Sequence, residues 1–280
     1  MEKNKSPISS LPPSSWFSDD KSGAEIAYRI KWATKTGEKF PPLVFLHGFN
    51  GSSKSWAYQF SEFNEHIIVA IDAPGFGGSK TLESDMSRIA DCTASLIKSL
   101  VDEKVVVVGH SMGGMQAQVL AANHSNIFAG LVLSCTHKGR AQGIDVPLDA
   151  EILERIKQRE EMDDLTYGEL RIKKMLKGPI APDVFSFLAA VAGEVTVDGI
   201  RAGGLAMHHL DTTNLLSRIS VPVMNLTAAR DIVVAPDAAA ALKNGLPISY
   251  DIHLSNVGHA PYCEDYQSFN AAIKQFLLKI

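Results

Sequence analysis

At 280 residues the chain is long enough for one large α/β domain or for a core domain with an insertion. With 45% hydrophobic residues, 21% charged residues and a formal net charge of −4, it has an ordinary globular mix and gives no reason to expect nucleic acid or an anionic membrane as partner. Three scattered cysteines (Cys92, Cys135, Cys263) make neither a disulfide framework nor a metal-ligand spacing, so a reducing cytoplasm is the simplest expectation.

Residues 1–22 start with charge, are rich in Ser and Pro between 4 and 15, and lack the apolar run of a secretory signal; they read as a flexible leader. No stretch approaches the roughly 20 apolar residues that span a bilayer. Residues 23–32 alternate like a strand, with Ile26, Tyr28 and Ile30 on one face, and 36–39 read as a turn. Residues 42–46 form a continuous apolar strand ending at His47-Gly48. Residues 67–71 form another, followed by a turn-forming loop, 72–79, in which Asp72 reads as structural. An amphipathic helix over 84–100, a strand over 105–108, a helix over 114–122 and a strand over 131–133 follow. Residues 137–218 then break the alternation. They contain no convincing strand, and 149–165, 183–195 and 198–210 read as helices. Inserted between two sheet strands, this segment reads as a helical cap over the carboxyl edge of the sheet; a longer crossover without a lid role is the alternative. Strands over 221–226 and 249–252 and helices over 235–244 and 268–279 complete the chain. Apolar strands separated by helices predict an α/β fold with a mostly parallel sheet covered on both faces, built from 23–136 and 219–280. In such sheets function gathers at the carboxyl ends of the strands.

One motif outweighs the rest. Gly109-His110-Ser111-Met112-Gly113 lies between the strand at 105–108 and the helix at 114–122. Strand, Gly-x-Ser-x-Gly, helix is the sequence form of a nucleophile elbow, in which a strained turn exposes a hydroxyl beside a helix N-terminus. A serine hydroxyl needs a base, and the base needs an orienting acid. Of nine histidines, His259 lies in a loop after the last strand, where chain order Ser, acid, His places the base. His110, inside the elbow, is expected to point away from the serine. Asp231, after the strand at 221–226, is the candidate acid. The other strand end, at 134–139, offers no carboxylate. Oxyanion donors are expected from the backbone N–H groups of Met112 and Phe49. Asn50 is either a side-chain contact or a turn cap. Phe185 and Leu188 line a pocket or pack on the core, and His137 completes the candidate substrate contacts.

These landmarks resemble the α/β-hydrolase family: His47-Gly48-Phe49, Asp72-x-Pro74-Gly75-x-Gly77-x-Ser79, Gly109-x-Ser111-x-Gly113-Gly114, Asp231 and Gly258-His259 stand in its order over roughly residues 24–280. Within the family the chain is most similar to small capped enzymes of the 3-oxoadipate enol-lactonase and meta-cleavage-product hydrolase type, and 201–207 resembles the last cap helix of the former. Relatives often carry glycine where this chain has Ala228. Serine at 111 disfavours the epoxide hydrolases and haloalkane dehalogenases, which carry aspartate there. The resemblance implies a serine hydrolase that cleaves a small, fairly apolar ester or lactone through an acyl-enzyme. Other outcomes on the same fold are a carbon–carbon bond hydrolase of ring-fission products, a cofactor-free oxygenase and a small-molecule receptor. No cofactor or metal is expected. The expected partner is a small-molecule substrate, and a homodimer is left open.

Overall fold

A computed structural model describes residues 11–34 and 40–280. The turn expected at 36–39 and the first ten residues of the expected leader lie outside the described residues.

The leader is corrected from residue 14 onward. Strand β1 (Ser14–Asp19) pairs antiparallel with β2 (Ala24–Lys31) along its whole length. Phe17 packs on the core, while Trp16 stays exposed with its indole N–H on the Gly78 carbonyl. That apolar contact, and a partner for the otherwise open edge of β2, outweigh the Ser- and Pro-rich composition. Asp19 accepts from the Ser22 N–H and closes the hairpin.

Strand β3 (Leu43–Leu46) leads through a short 3-10 turn into α1 (Ala57–Glu62). Then come β4 (Ile68–Ile71), α2 (Met86–Leu100), β5 (Val105–His110), α3 (Met112–Asn123) and β6 (Phe128–Ser134). Five helices follow: α4 (Ala150–Glu161), α5 (Asp164–Met175), α6 (Pro182–Gly193), α7 (Val197–His209) and the short α8 (Thr213–Leu216). Strand β7 (Val223–Ala228), α9 (Pro236–Gly245), β8 (Ser249–Leu254), α10 (Pro261–Glu264) and α11 (Tyr266–Leu277) close the chain.

The eight strands lie in the order β1-β2-β4-β3-β5-β6-β7-β8. Every pairing from β4 to β8 is parallel, and only β2 runs against its neighbours. Alternation along the buried strands sorts the core into two layers. Leu43, Phe45, Val106 and Val108 face one side with Trp56, Phe60, Phe269 and Ile273. Val44, Leu46, Val105 and Val107 face the other with Ile97, Val119 and Leu120 of α2 and α3. Each such side chain removed from water contributes about 1.5–3 kcal/mol. This is why the strands are apolar throughout rather than alternating.

The helices between β6 and β7 are seated on the carboxyl edge of the sheet. Ile152 and Ile156 of α4, Ile200 and Met207 of α7 and Tyr167 of α5 form a third apolar cluster with Phe49, Phe76, Met112 and Met115. The two ends of this insertion are bonded to each other. Arg140 N–H reaches Met207 O, Ala141 N–H reaches Leu210 O, and Thr212 N–H reaches Lys138 O at 2.9 Å. Among the described residues no helix is long and apolar enough to cross a membrane.

Candidate active site

Ser111 sits between β5 and α3 with φ 52° and ψ −116°, a backbone conformation that costs a non-glycine residue about 1–3 kcal/mol. Packing holds it there. A Cβ at Gly109 would fall 2.4 Å from the Gly113 carbonyl oxygen, and one at Gly113 would fall 2.2 Å from that of Leu46. The two glycines let the turn press against itself and against β3. The Ser111 N–H bonds to Ser134 O at 2.9 Å, and the Thr136 hydroxyl donates to Ser111 O at 2.6 Å.

The structure brings Ser111, His259 and Asp231 into one line. Ser111 Oγ lies 3.1 Å from His259 Nε2, and His259 Nδ1 lies 2.9 Å from Asp231 Oδ2. The second Asp231 oxygen accepts the N–H groups of Val233 and Val234 at 2.8 and 3.0 Å. Burial works to raise the Asp231 pKa. The hydrogen bond and charge of His259 and the two backbone donors outweigh it and hold the carboxyl below its ordinary value. An ionised Asp231 fixes the proton on His259 Nδ1 and leaves Nε2 to accept from the serine hydroxyl. The line can therefore draw a proton off Ser111 as its oxygen attacks, and return it to a leaving group. Ala228 lies inside β7 and is not among the positive-φ residues, so the glycine often found there is not required.

Two supports were missed in the sequence. Glu264, at the end of α10, brackets His259 by accepting from Gly258 N–H at 3.1 Å and Ala260 N–H at 2.8 Å. The signal was present: a carboxylate four and six residues from the amides it holds, closing a short proline-led helix. His110 does not turn away as expected. Its ring lies 4.8 Å from that of His259 and 4.9 Å from Tyr262. Burial, reinforced by His259, pulls its pKa well below the usual value, so it stays neutral.

The loop after β3 runs past the serine. A Cβ at Gly48 would lie 3.2 Å from Ser111 Cβ and 2.9 Å from His110 Cδ2. His47 anchors this loop: Nδ1–H donates to Gly48 O at 2.8 Å, and Nε2 accepts from Ala73 N–H at 2.9 Å. Burial keeps its ring neutral. Phe49 follows Gly48 in this loop, and Met112 opens α3, where the first backbone donors lack intrahelical partners. Asp72 bonds the N–H groups of Ser53 and Gly78 and ties two loops together, a structural part.

A cavity of about 190 Å³ opens beside His259, His110 and the 48–51 loop. Asn50 and Leu188 line it; Asn50 Nδ2 also contacts Met175 Sδ at 3.8 Å. Phe185 and His137 do not. Phe185 packs on the core beneath the Lys173 ammonium, and His137 is turned to the Gly139 carbonyl. The cavity wall is partly charged. Arg140, Arg155, Arg171, Lys174 and Glu151 contribute to it, because α4 and α5 turn a charged stripe toward it beside their apolar one. A larger hollow of about 450 Å³ lies behind Asp231 without His259 in its wall; Ser111 lines neither cavity.

Cys135, Asp231 and His259 offer three donor atoms within 4.8 Å of one another, a set of the kind that binds metals. These donors are already engaged. His259 Nδ1 and Asp231 bond to each other, and burial together with the Asp231 charge keeps the Cys135 thiol protonated.

A family model described as the alpha/beta hydrolase fold matches residues 41–266. The AB hydrolase superfamily protein YisY of Bacillus subtilis is 25% identical over 251 residues, spanning 84% of this chain and 91% of its own. The enol-lactonase of Burkholderia xenovorans superposes with a TM-score of 0.80 at 18% identity, covering 94% of this chain and all (100%) of that one. A thermophilic esterase of Thermogutta terrifontis gives 0.80 at 24% identity, covering 95% and 98%.

Proposed function

The chain belongs to the α/β-hydrolase family, and from that premise we propose that it is a serine hydrolase of small esters or lactones. Ser111 is the nucleophile, His259 the general base and acid, and Asp231 the residue that orients and stabilises the imidazole. Ser111 Oγ adds to the acyl carbon while its proton passes to His259 Nε2. The backbone N–H groups of Phe49 and Met112 receive the oxyanion, a contribution of about 2.7–4 kcal/mol for each donor. Collapse expels the alcohol, or opens the lactone ring, with the proton returned from His259. Water then repeats the cycle on the acyl-enzyme and releases the acid. Residues 137–218, which carry helices α4–α7, act as a cap over the carboxyl edge of the sheet and limit access of solvent to the ester.

The single observation that carries this reading is the unbroken line of contacts, 3.1 Å and 2.9 Å long, from Ser111 through His259 to Asp231. The size of the cavity, about 190 Å³, supports a substrate smaller than the ligands of typical 300–1,000 Å³ sites. The esterase and enol-lactonase among the structural neighbours point the same way. The test is labelling with a fluorophosphonate probe followed by mass spectrometry of the modified peptide. We expect the label on Ser111 and its loss in Ser111→Ala. Labelling elsewhere, or ester hydrolysis that survives the substitution, refutes the assignment.

A further inference from the structure

Three guanidinium groups converge on the cavity beside His259 from separate segments: Arg140 after β6, Arg155 on α4 and Arg171 on α5. Lys174 adds a fourth positive charge, and Glu151 is the one carboxylate in the wall. The Arg171 side chain is 3% exposed and that of Arg155 11%. Both depend on the same Glu151 oxygen, at 2.6 Å from Arg155 Nη2 and 3.9 Å from Arg171 Nη2. The Nε of each is buried with no hydrogen-bond partner among the described residues. Arg140 is paired with Asp149, outside the cavity wall. Burial and the neighbouring Arg155 charge draw Arg171 down to about 10, so it remains a cation at neutral pH with less than one full counter-charge. A buried, under-compensated guanidinium is costly unless an anion completes it. Glu151 indicates which anion suits this pair. It is itself a carboxylate, and its side chain is 60% exposed, leaving it free to swing aside. The planar forks of two arginines match a carboxylate in bidentate fashion.

We propose that Arg155 and Arg171, assisted by Arg140, form a carboxylate-binding subsite of the cavity, so that the substrate is a small ester or lactone carrying a free carboxylate away from the bond to be cleaved. This rests on the reading of Ser111 as nucleophile. Hydrolysis breaks the acyl C–O bond and adds the elements of water. An acyl group carrying the free carboxylate therefore leaves as a dicarboxylate. Glu151 is the internal counter-ion that the substrate displaces.

The test uses the full chain and two esters of equal chain length, monomethyl glutarate and methyl pentanoate, followed by pH-stat. Fluorophosphonate labelling of Ser111 is measured in parallel, with and without glutarate. We expect kcat/KM to favour the charged ester by about 10- to 100-fold, the range of one or two hydrogen bonds to a charged group. Glutarate is expected to slow labelling where pentane-1,5-diol does not. In Arg171→Met the ratio of the two kcat/KM values falls toward one, with folding checked by circular dichroism. Should that variant fail to fold, Glu151→Gln, on an exposed side chain, is expected to raise the ratio by freeing both guanidinium groups. Labelled Ser111 with a ratio near one and no protection by glutarate overturns the subsite and leaves the hydrolase reading standing. Absence of labelling overturns the hydrolase reading itself.

Discussion

Replacing Gly113 by alanine puts the elbow under direct strain. The new methyl group falls 2.2 Å from Leu46 O, 2.5 Å from Leu46 C and 2.7 Å from His47 O. All three are backbone atoms at the end of β3, in a strand paired on both sides, so no side chain can rotate out of the way. Overpacking of this kind costs about 1–3 kcal/mol, and rigid surroundings put this site at the upper end. For a chain of 280 residues that corresponds to a fall in Tm of roughly 5 °C. The displaced segment also carries Phe49, so the oxyanion donor proposed there moves away from the serine and kcat is expected to fall by about 10²–10³. Differential scanning calorimetry and fluorophosphonate labelling rates measure the two effects on one sample. Gly143→Ala is the control. Its methyl group meets nothing nearer than Val146 Cγ2 at 3.7 Å, and it is expected to stay within about 0.5 kcal/mol of the parent. A Gly113→Ala protein that melts with Gly143→Ala and labels at the parent rate refutes the close-packing argument.

Asp231→Asn keeps the shape of the line but removes the charge that fixes the His259 tautomer; kcat for ester hydrolysis is expected to fall about 10⁴-fold, and a loss under tenfold contradicts the role given to Asp231. Glu264→Ala strips the acceptor from Gly258 and Ala260, at about 1–3 kcal/mol for each buried donor left unpaired. Labelling of Ser111 is expected to slow with the loss of stability, and Glu264→Gln, which keeps one acceptor oxygen, to recover part of both. His110 gives a pH signature. Its folded pKa lies well below 6.5, so acid protonates the unfolded chain first. The stabilisation is complete above pH ~6.5 and drains as pH falls toward the folded value. In His110→Phe, urea unfolding between pH 7 and 5 is expected to show a slope shallower by up to about 1.4 kcal/mol per pH unit, and an unchanged slope counts against a buried neutral imidazole.

Where a local pattern carries its own physical reason, it is readable in the chain. The runs at 43–46 and 105–108 are apolar because both faces of those strands are covered, and they appear as central strands. The Gly109–Gly113 spacing announces the tight approach that the sheet imposes. Chain order led to His259 and Asp231, which the structure places beside Ser111. Features that depend on distant partners did not show. Strand β1 exists because β2 offers it an edge, and nothing in a Ser- and Pro-rich stretch says so. Arg155 reads as the exposed end of an i,i+4 pair with Glu151 until α5 brings Arg171 against it. Phe185 and Leu188 sit three residues apart on one helix, and only its seating decides that Leu188 meets the cavity while Phe185 lies under Lys173.

The stems at 138–142 and 207–212 leave the sheet side by side and are stitched together by main-chain bonds before the helices spread. They join β6 and β7, which are adjacent and parallel. The whole intervening segment is thus a cassette plugged into one socket. A foreign helical segment cut at the same two stems leaves the chain path of the elbow, the imidazole and its carboxylate unbroken, but it must replace the α4, α5 and α7 side chains that pack on Phe49, Phe76, Met112 and Met115. Exchanging that one contiguous stretch of gene therefore changes the wall of the cavity and the cover of the elbow together.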